Sequence, residues 1–104
     1  MNISEAEARR RYIDISFKEF GWECLREGYE LEYEVTSMPR STNPSGIGYV
    51  DYVLWGDDDL PLALIEVKKS MADPRRGKHQ AKLYADCLQA MHGQRADYLL
   101  QQWL

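Results

Sequence analysis

Leu62-Ala63-Leu64-Ile65-Glu66-Val67-Lys68-Lys69 decides how this chain reads. It is an apolar run of strand length that ends in an acid, a valine and a base. Side chains on a strand alternate faces, so Glu66 and Lys68 point one way and Ile65 and Val67 the other. A carboxylate two residues from an ammonium, at the mouth of a buried strand, can hold a metal ion and a water side by side.

The preceding stretch supplies a partner. Tyr49–Trp55 is rich in β-formers and carries one acid, Asp51; Gly56-Asp57-Asp58-Asp59 then marks a turn and Pro61 closes it. A hairpin centred on Asp58–Asp59 sets Trp55 against Leu62, Val53 against Leu64 and Asp51 against Glu66. Directly opposed residues share a face, with Cβ atoms roughly 5 Å apart. Asp51, Glu66 and Lys68 then converge on one spot. Two carboxylates so close repel unless a cation lies between them, and hard oxygen ligands suit Mg²⁺ or Mn²⁺ better than zinc.

Bulk properties bound the rest. The 104 residues make one small domain of ordinary globular composition. No run of about 18 apolar residues exists to span a membrane. Glu5, Glu7 and Arg9–Arg11 occupy the place where a signal peptide needs an apolar core, so a cytoplasmic location is expected. Cys24 and Cys87 form no CxxC pair and read as reduced, partly buried thiols, and two histidines complete no zinc site with them. The net charge of −4 argues mildly against a general nucleic-acid binder. Its distribution argues back. Lys68, Lys69, Arg75, Arg76, Lys78 and Lys82 follow one another with only Asp73 as an acid among them, and this basic run starts at the candidate metal site.

Outward from the hairpin, the order reads α-β-β-β-α with an optional last β. Ser4 and Glu7 have capping-box spacing, and Ile13, Phe17 and Phe20 recur at helical intervals before Gly21, which places a helix at about 4–20. Tyr29, Leu31, Tyr33 and Val35 alternate with Glu30, Glu32 and Glu34. This predicts a strand over about 29–36 with one buried and one acidic face. Ser37–Gly48 holds two prolines and two glycines and reads as a loop; beside an active centre such a loop can close over substrate. Strands at about 49–55 and 62–69 come next. Asp73 as N-cap and Pro74 at N1 open a second helix over about 74–92, with Gln80, Leu83, Tyr84, Cys87, Leu88 and Met91 on one stripe. Trp22, Trp55 and Trp103 read as packing residues. Ala96–Leu104 is a last strand or a short helix. No Walker A sequence occurs, so no P-loop chemistry is expected.

These words together resemble one family. Ser4-Glu5-Ala6-Glu7-Ala8-Arg9, Val50-Asp51-Tyr52-Val53-Leu54-Trp55-Gly56, Ile65-Glu66-Val67-Lys68 and Gln80-Ala81-Lys82-Leu83-Tyr84 look like the N-terminal nuclease domain of the restriction (R) subunit of type I restriction–modification enzymes, over about residues 4–95. D…ExK followed by QxxxY carries the match. The resemblance implies the α/β restriction-endonuclease-like, PD-(D/E)xK fold, a mixed sheet flanked by helices. It implies a Mg²⁺-dependent DNA endonuclease, with Mn²⁺ able to substitute. By motif, Asp51 and Glu66 would ligate the metal with the Val67 carbonyl, and Glu7 of the first helix can approach it. Lys68 would orient the attacking water and offset charge on the phosphorane. Gln80 and Tyr84 would contact the site or the DNA backbone; the charge run, apart from the motif, makes Arg75, Arg76, Lys78 and Lys82 the candidates to meet phosphates. Double-stranded DNA is the implied substrate, without base specificity. The motor, methylation and specificity components of a type I enzyme are the implied partners.

Other readings stay open on the residues: a free-standing nuclease or resolvase of the same fold, alone or as a homodimer; a truncated, non-catalytic remnant that binds DNA or a partner subunit; and a purely structural module. The tail after Arg95 departs from the family's pattern. Glu7 is also explained by its capping box, Tyr84 by core packing, Gln80 by a solvated helix position, and the basic run by a solvated face.

Overall fold

A computed structural model describes residues 25–68 and 74–102, with the backbone alone for residue 102. The expected first helix, with Glu7, lies outside the described residues. So do Cys24, Trp22, Trp103, Lys69 and the Asp73 cap.

The described chain forms a mixed α/β unit: four strands in the order β1-β2-β3-β4 and one helix. The strands are β1 (Leu31–Val35), β2 (Gly48–Trp55), β3 (Pro61–Lys68) and β4 (Asp97–Gln102). β1 and β3 run antiparallel to β2, and β4 runs parallel to β3. A parallel neighbour needs a crossover, and the helix α1 (Pro74–His92) supplies it. Pro74 suits a first helical position because its missing N–H has no intrahelical partner to lose. The helix ends at Gly93, which takes a left-handed φ of 77° and returns its N–H to the Gln89 carbonyl at 2.7 Å.

The buried face of α1 is built on Ala81, Tyr84, Ala85, Cys87 and Leu88, and packs on the sheet against β1, β3 and β4. Two alanines let the helix sit close. Met91, read in sequence as part of this stripe, is 40% exposed at the far end of the helix. The main core joins this helix face to Val35, Met38, Val50, Val53, Trp55 and Leu64. A second cluster (Leu31, Tyr52 and Val67, with Leu25, Leu54 and Ile65 against it) is the sheet's other face.

The period-2 reading of β1 is corrected in two respects. The strand starts at Leu31, because a turn around Gly28 (φ 80°) ties the Leu31 N–H to the Arg26 carbonyl at 3.0 Å and the Gly28 N–H to the Leu31 carbonyl at 2.7 Å. And Leu31 does not share a face with Tyr33 and Val35. Glu32 has φ 53°, a left-handed conformation that breaks the alternation and turns Leu31 to the second cluster. Glu30 is accordingly not on an acidic outer face. It is 6% exposed and accepts hydrogen bonds from Arg26 Nε and Nη2, each at 3.1 Å, and from the Arg26 backbone N–H at 3.0 Å.

The β2–β3 hairpin differs from its expected register at one end. Val53 faces Leu64 as read, but Trp55 faces Pro61 instead of Leu62. The turn closes early, with the Gly56 N–H on the Leu60 carbonyl at 2.9 Å, and a bulge between Leu54 and Trp55 absorbs the slip. Leu62 is left out of the pairing and is 49% exposed. The tail resolves as a strand, β4, and the Thr36–Ile47 loop is bonded to itself. The Met38 N–H meets the Gly46 carbonyl at 3.0 Å, Asn43 Nδ2 the Ile47 carbonyl at 2.9 Å, and Arg40 Nη1 the Pro44 carbonyl at 2.9 Å. Arg40, the loop's one charge, is exposed and bonded to the loop's own backbone.

Candidate active site

The β2–β3 pairing runs from Trp55↔Pro61 to Tyr52↔Ile65. One step further stand Asp51 and Glu66, and there side chains take over from the ladder. The Asp51 N–H donates to Glu66 Oε1 at 3.2 Å, and the Val67 N–H donates to Asp51 Oδ2 at 2.9 Å. Each acid accepts a main-chain donor from the other strand, so the two carboxylates are braced across the gap between strands. Asp51 is 8% exposed and Glu66 2%.

That burial has an electrostatic consequence. A carboxylate removed from water, beside another of the same sign, disfavours its charged form. Burial first, then the Asp51 charge and a hydrogen bond shared with Asp51, push the Glu66 carboxyl well above the usual carboxylate range; the Lys68 ammonium acts in the opposite direction. Glu66 lies on the helix-facing side of β3, with Leu64 two residues before it and the half-buried Lys68 two residues after it.

Helix α1 brings the other expected pair to the same place. Gln80 Nε2 donates to Tyr84 Oη at 3.2 Å, as neighbours at i and i+4 can. Tyr84 is 4% exposed, and its phenol is pushed up by burial and then by the negative charge of Glu66, with a smaller contribution from Asp51. The phenol therefore feels both carboxylates.

The basic residues divide. Arg75, Arg76, Lys78 and Lys82 all lie on α1, with Lys78 and Lys82 four residues apart. At about 100° per residue, Arg76 falls on the stripe of Gln80 and within about 80° of Tyr84, whereas Arg75, Lys78 and Lys82 lie roughly 120–180° away from Tyr84. Lys82 Nζ is also 3.5 Å from Asp86 Oδ2, an acid that Arg95 holds below its usual range.

Asp51, Glu66, Lys68, Gln80 and Tyr84 thus gather on one side of the sheet, with the Val67 backbone between the acids. Among the described residues no group of three or more His, Cys, Asp or Glu is arranged to hold a metal ion. The donors that the structure brings together are the two carboxylates. Two buried acids side by side, once both are ionised, offer hard oxygen donors of the kind that suit a divalent cation. Missed in the sequence were the bracing of each acid by a main-chain N–H and the close approach of Gly48 to the Tyr84 ring; Gly48 had a signal, standing where the loop enters β2.

Comparison with protein-family models, curated proteins and solved structures returns no match. Among the described residues no helix is long and apolar enough to cross a membrane.

Proposed function

We propose that this chain is a Mg²⁺-dependent DNA endonuclease domain with a restriction-endonuclease-like, PD-(D/E)xK core, similar to the nuclease domain of type I restriction subunits. The observation that carries the reading is the Asp51–Glu66 pair: two buried acids, cross-braced at the end of the β2–β3 ladder, within electrostatic reach of Lys68 and Tyr84. Burying two carboxylates together is costly, and a stability role alone gives no return for it. A strongly perturbed acid such as Glu66, facing a second carboxylate, is a mark of a functional site.

Asp51, Glu66 and the Val67 carbonyl would hold the ion, with Glu7 as a further donor, and the ion when bound supplies a Lewis acid for the scissile phosphate and lowers the pKa of water. Asp51 and Glu66 must both be ionised to do so, which means that Glu66 gives up its proton. Lys68 offers a fixed positive charge two residues from Glu66, where it can orient the attacking water and offset negative charge building on the phosphate. Tyr84 and Gln80 can donate to a phosphate oxygen of the DNA backbone. None of these contacts reads a base, so target choice would rest with other components.

A plasmid-nicking assay tests the reading, with Mg²⁺, Mn²⁺ and EDTA lanes for the full chain and for Glu66→Ala. Metal-dependent nicking that the variant loses supports an autonomous nuclease. Nicking equal in both proteins sinks the assignment of Glu66. No nicking in either, together with no Mn²⁺ heat in calorimetry, favours the non-catalytic remnant.

A further inference from the structure

Gly48 opens β2 three residues before Asp51, and it is buried. Its backbone is not in the left-handed region, so conformational freedom does not explain a glycine there. Space does. A Cβ built on Gly48 would lie 2.6 Å from Tyr84 Cε1 and 3.3 Å from Tyr84 Oη. Real Cβ atoms essentially never approach other atoms so closely, and one of the two groups has to move. Met38 closes the other side, with its Cγ 3.3 Å from the same point. Met38 is itself 3% exposed and anchored by its N–H to Gly46. The ring has little room to retreat, because it is packed in the core cluster with Ala81, Ala85 and Leu88.

We infer that Gly48 is a positioning residue for Tyr84: the missing side chain is the slot through which the phenol reaches the Asp51–Glu66 pair, and Met38 of the preceding loop is the slot's far wall. The inference rests on the nuclease reading for its catalytic consequence, but the slot itself is a packing statement. It also assigns the Thr36–Ile47 loop a part. The loop is a fixed wall of the site, tied through Met38, and not a lid over it. Any side chain at position 48 tips the ring and moves the phenol hydroxyl away from the carboxylates, while leaving the two acids and their main-chain donors in place.

The test is a double-mutant cycle on the full chain: wild type, Gly48→Ala, Tyr84→Ala and Gly48→Ala/Tyr84→Ala. Three readouts are taken, the thermal midpoint, the Mn²⁺-dependent nicking rate and Mn²⁺ affinity by calorimetry. Gly48→Ala is expected to lower the midpoint by about 5 °C, as overpacking does, and to lower it by less than about 2 °C when Tyr84 is already Ala. Nicking by Gly48→Ala should fall about tenfold or more with Mn²⁺ affinity kept within about threefold, a split that general unfolding does not produce. An equal loss of midpoint with and without Tyr84 overturns the slot. Wild-type nicking by Gly48→Ala overturns the positioning role. If the wild-type chain neither nicks nor takes up Mn²⁺, the nuclease reading fails, and the thermal cycle still decides the slot.

Discussion

Replacing Glu66 by Gln should stabilise the metal-free protein increasingly as the pH rises, while removing its response to divalent cations. Glutamine keeps the length of the side chain and can still accept the Asp51 N–H, but it cannot ionise. In the wild type, burial first and the Asp51 charge second hold the Glu66 carboxyl well above its usual range. The folded state therefore keeps a proton that the unfolded chain releases at about pH 4.3. Stability present in full below that value is lost as the pH climbs towards and through the folded value, at up to about 1.4 kcal/mol per pH unit. A slope of that size matters against the roughly 5–15 kcal/mol that holds a domain folded. The assay is urea unfolding in EDTA from about pH 5 to about pH 8, wild type against Glu66→Gln. Taking the difference removes groups such as Asp86, whose lowered carboxyl loses its contribution only as the pH falls into the acid range. The gap between the two proteins should widen with pH. Mn²⁺ should then close it by raising the wild type alone. A gap that does not change with pH, or a variant less stable throughout, would refute the reasoning, since either outcome means that the ionised carboxylate is well accommodated without a cation.

Lys68→Ala should abolish nicking and keep Mn²⁺ binding, because an ammonium supplies charge without being a ligand; Asp51→Ala should lose both, and calorimetry beside the nicking assay separates the two cases. Arg26→Ala removes two hydrogen bonds from the nearly buried Glu30 carboxylate and the guanidinium over the Tyr29 ring, so urea unfolding should show a loss of about 1–2 kcal/mol at neutral pH. Burial alone would raise the Glu30 carboxyl, but its hydrogen bonds from Arg26 outweigh that and lower it, so the loss should shrink as the pH falls through the acid range. Arg76→Ala should slow nicking about tenfold and Lys82→Ala less than about twofold, since Arg76 shares the Gln80 stripe and Lys82 is engaged with Asp86; equal effects in a salt series would refute the division.

Much of the described architecture was legible because it rests on local rules. The Pro74–His92 helix agrees with its expected bounds, since a proline at its start, a glycine at its end and a 3.6-residue apolar period all point the same way. The strands β2 and β3 follow from β-branched and aromatic runs flanking a turn of glycine and aspartates. The proximity of Asp51 to Glu66 was legible too, from counting back across the turn. The count came out right at Val53↔Leu64 although it was wrong at Trp55, because the bulge that pairs Trp55 with Pro61 is confined to the turn end and is used up before Leu54↔Ala63. Not legible were contacts made between elements far apart in the chain. Examples are the Trp55 indole donating to the Tyr29 carbonyl at 3.0 Å and Tyr33 Oη at 3.0 Å from His92 Nε2, neither of which has a periodic signature.

The failure at β1 has the most to do with the site. Leu31 pairs with Tyr52 and Tyr33 with Val50, so Glu32 stands across from Asp51. Glu32 is the residue with φ 53°, and the side chains change faces on both strands at this level: Tyr33 and Val50 belong to the helix-side core, Leu31 and Tyr52 to the opposite cluster. On its other flank, Asp51 lies one step beyond the end of the regular β2–β3 pairing. Asp51 thus sits at a defect in the sheet, with an irregular neighbour on one side and a finished ladder on the other. In a regular strand its N–H would be taken by a main-chain carbonyl of the adjacent strand. Here the Glu66 carboxylate takes it, and the Asp51 carboxylate takes the Val67 N–H in return. What leaves two main-chain donors for two acids is the end of the β2–β3 pairing, and the break that defeats a period-2 reading of Tyr29–Val35 lies on the opposite flank of the same residue, Asp51.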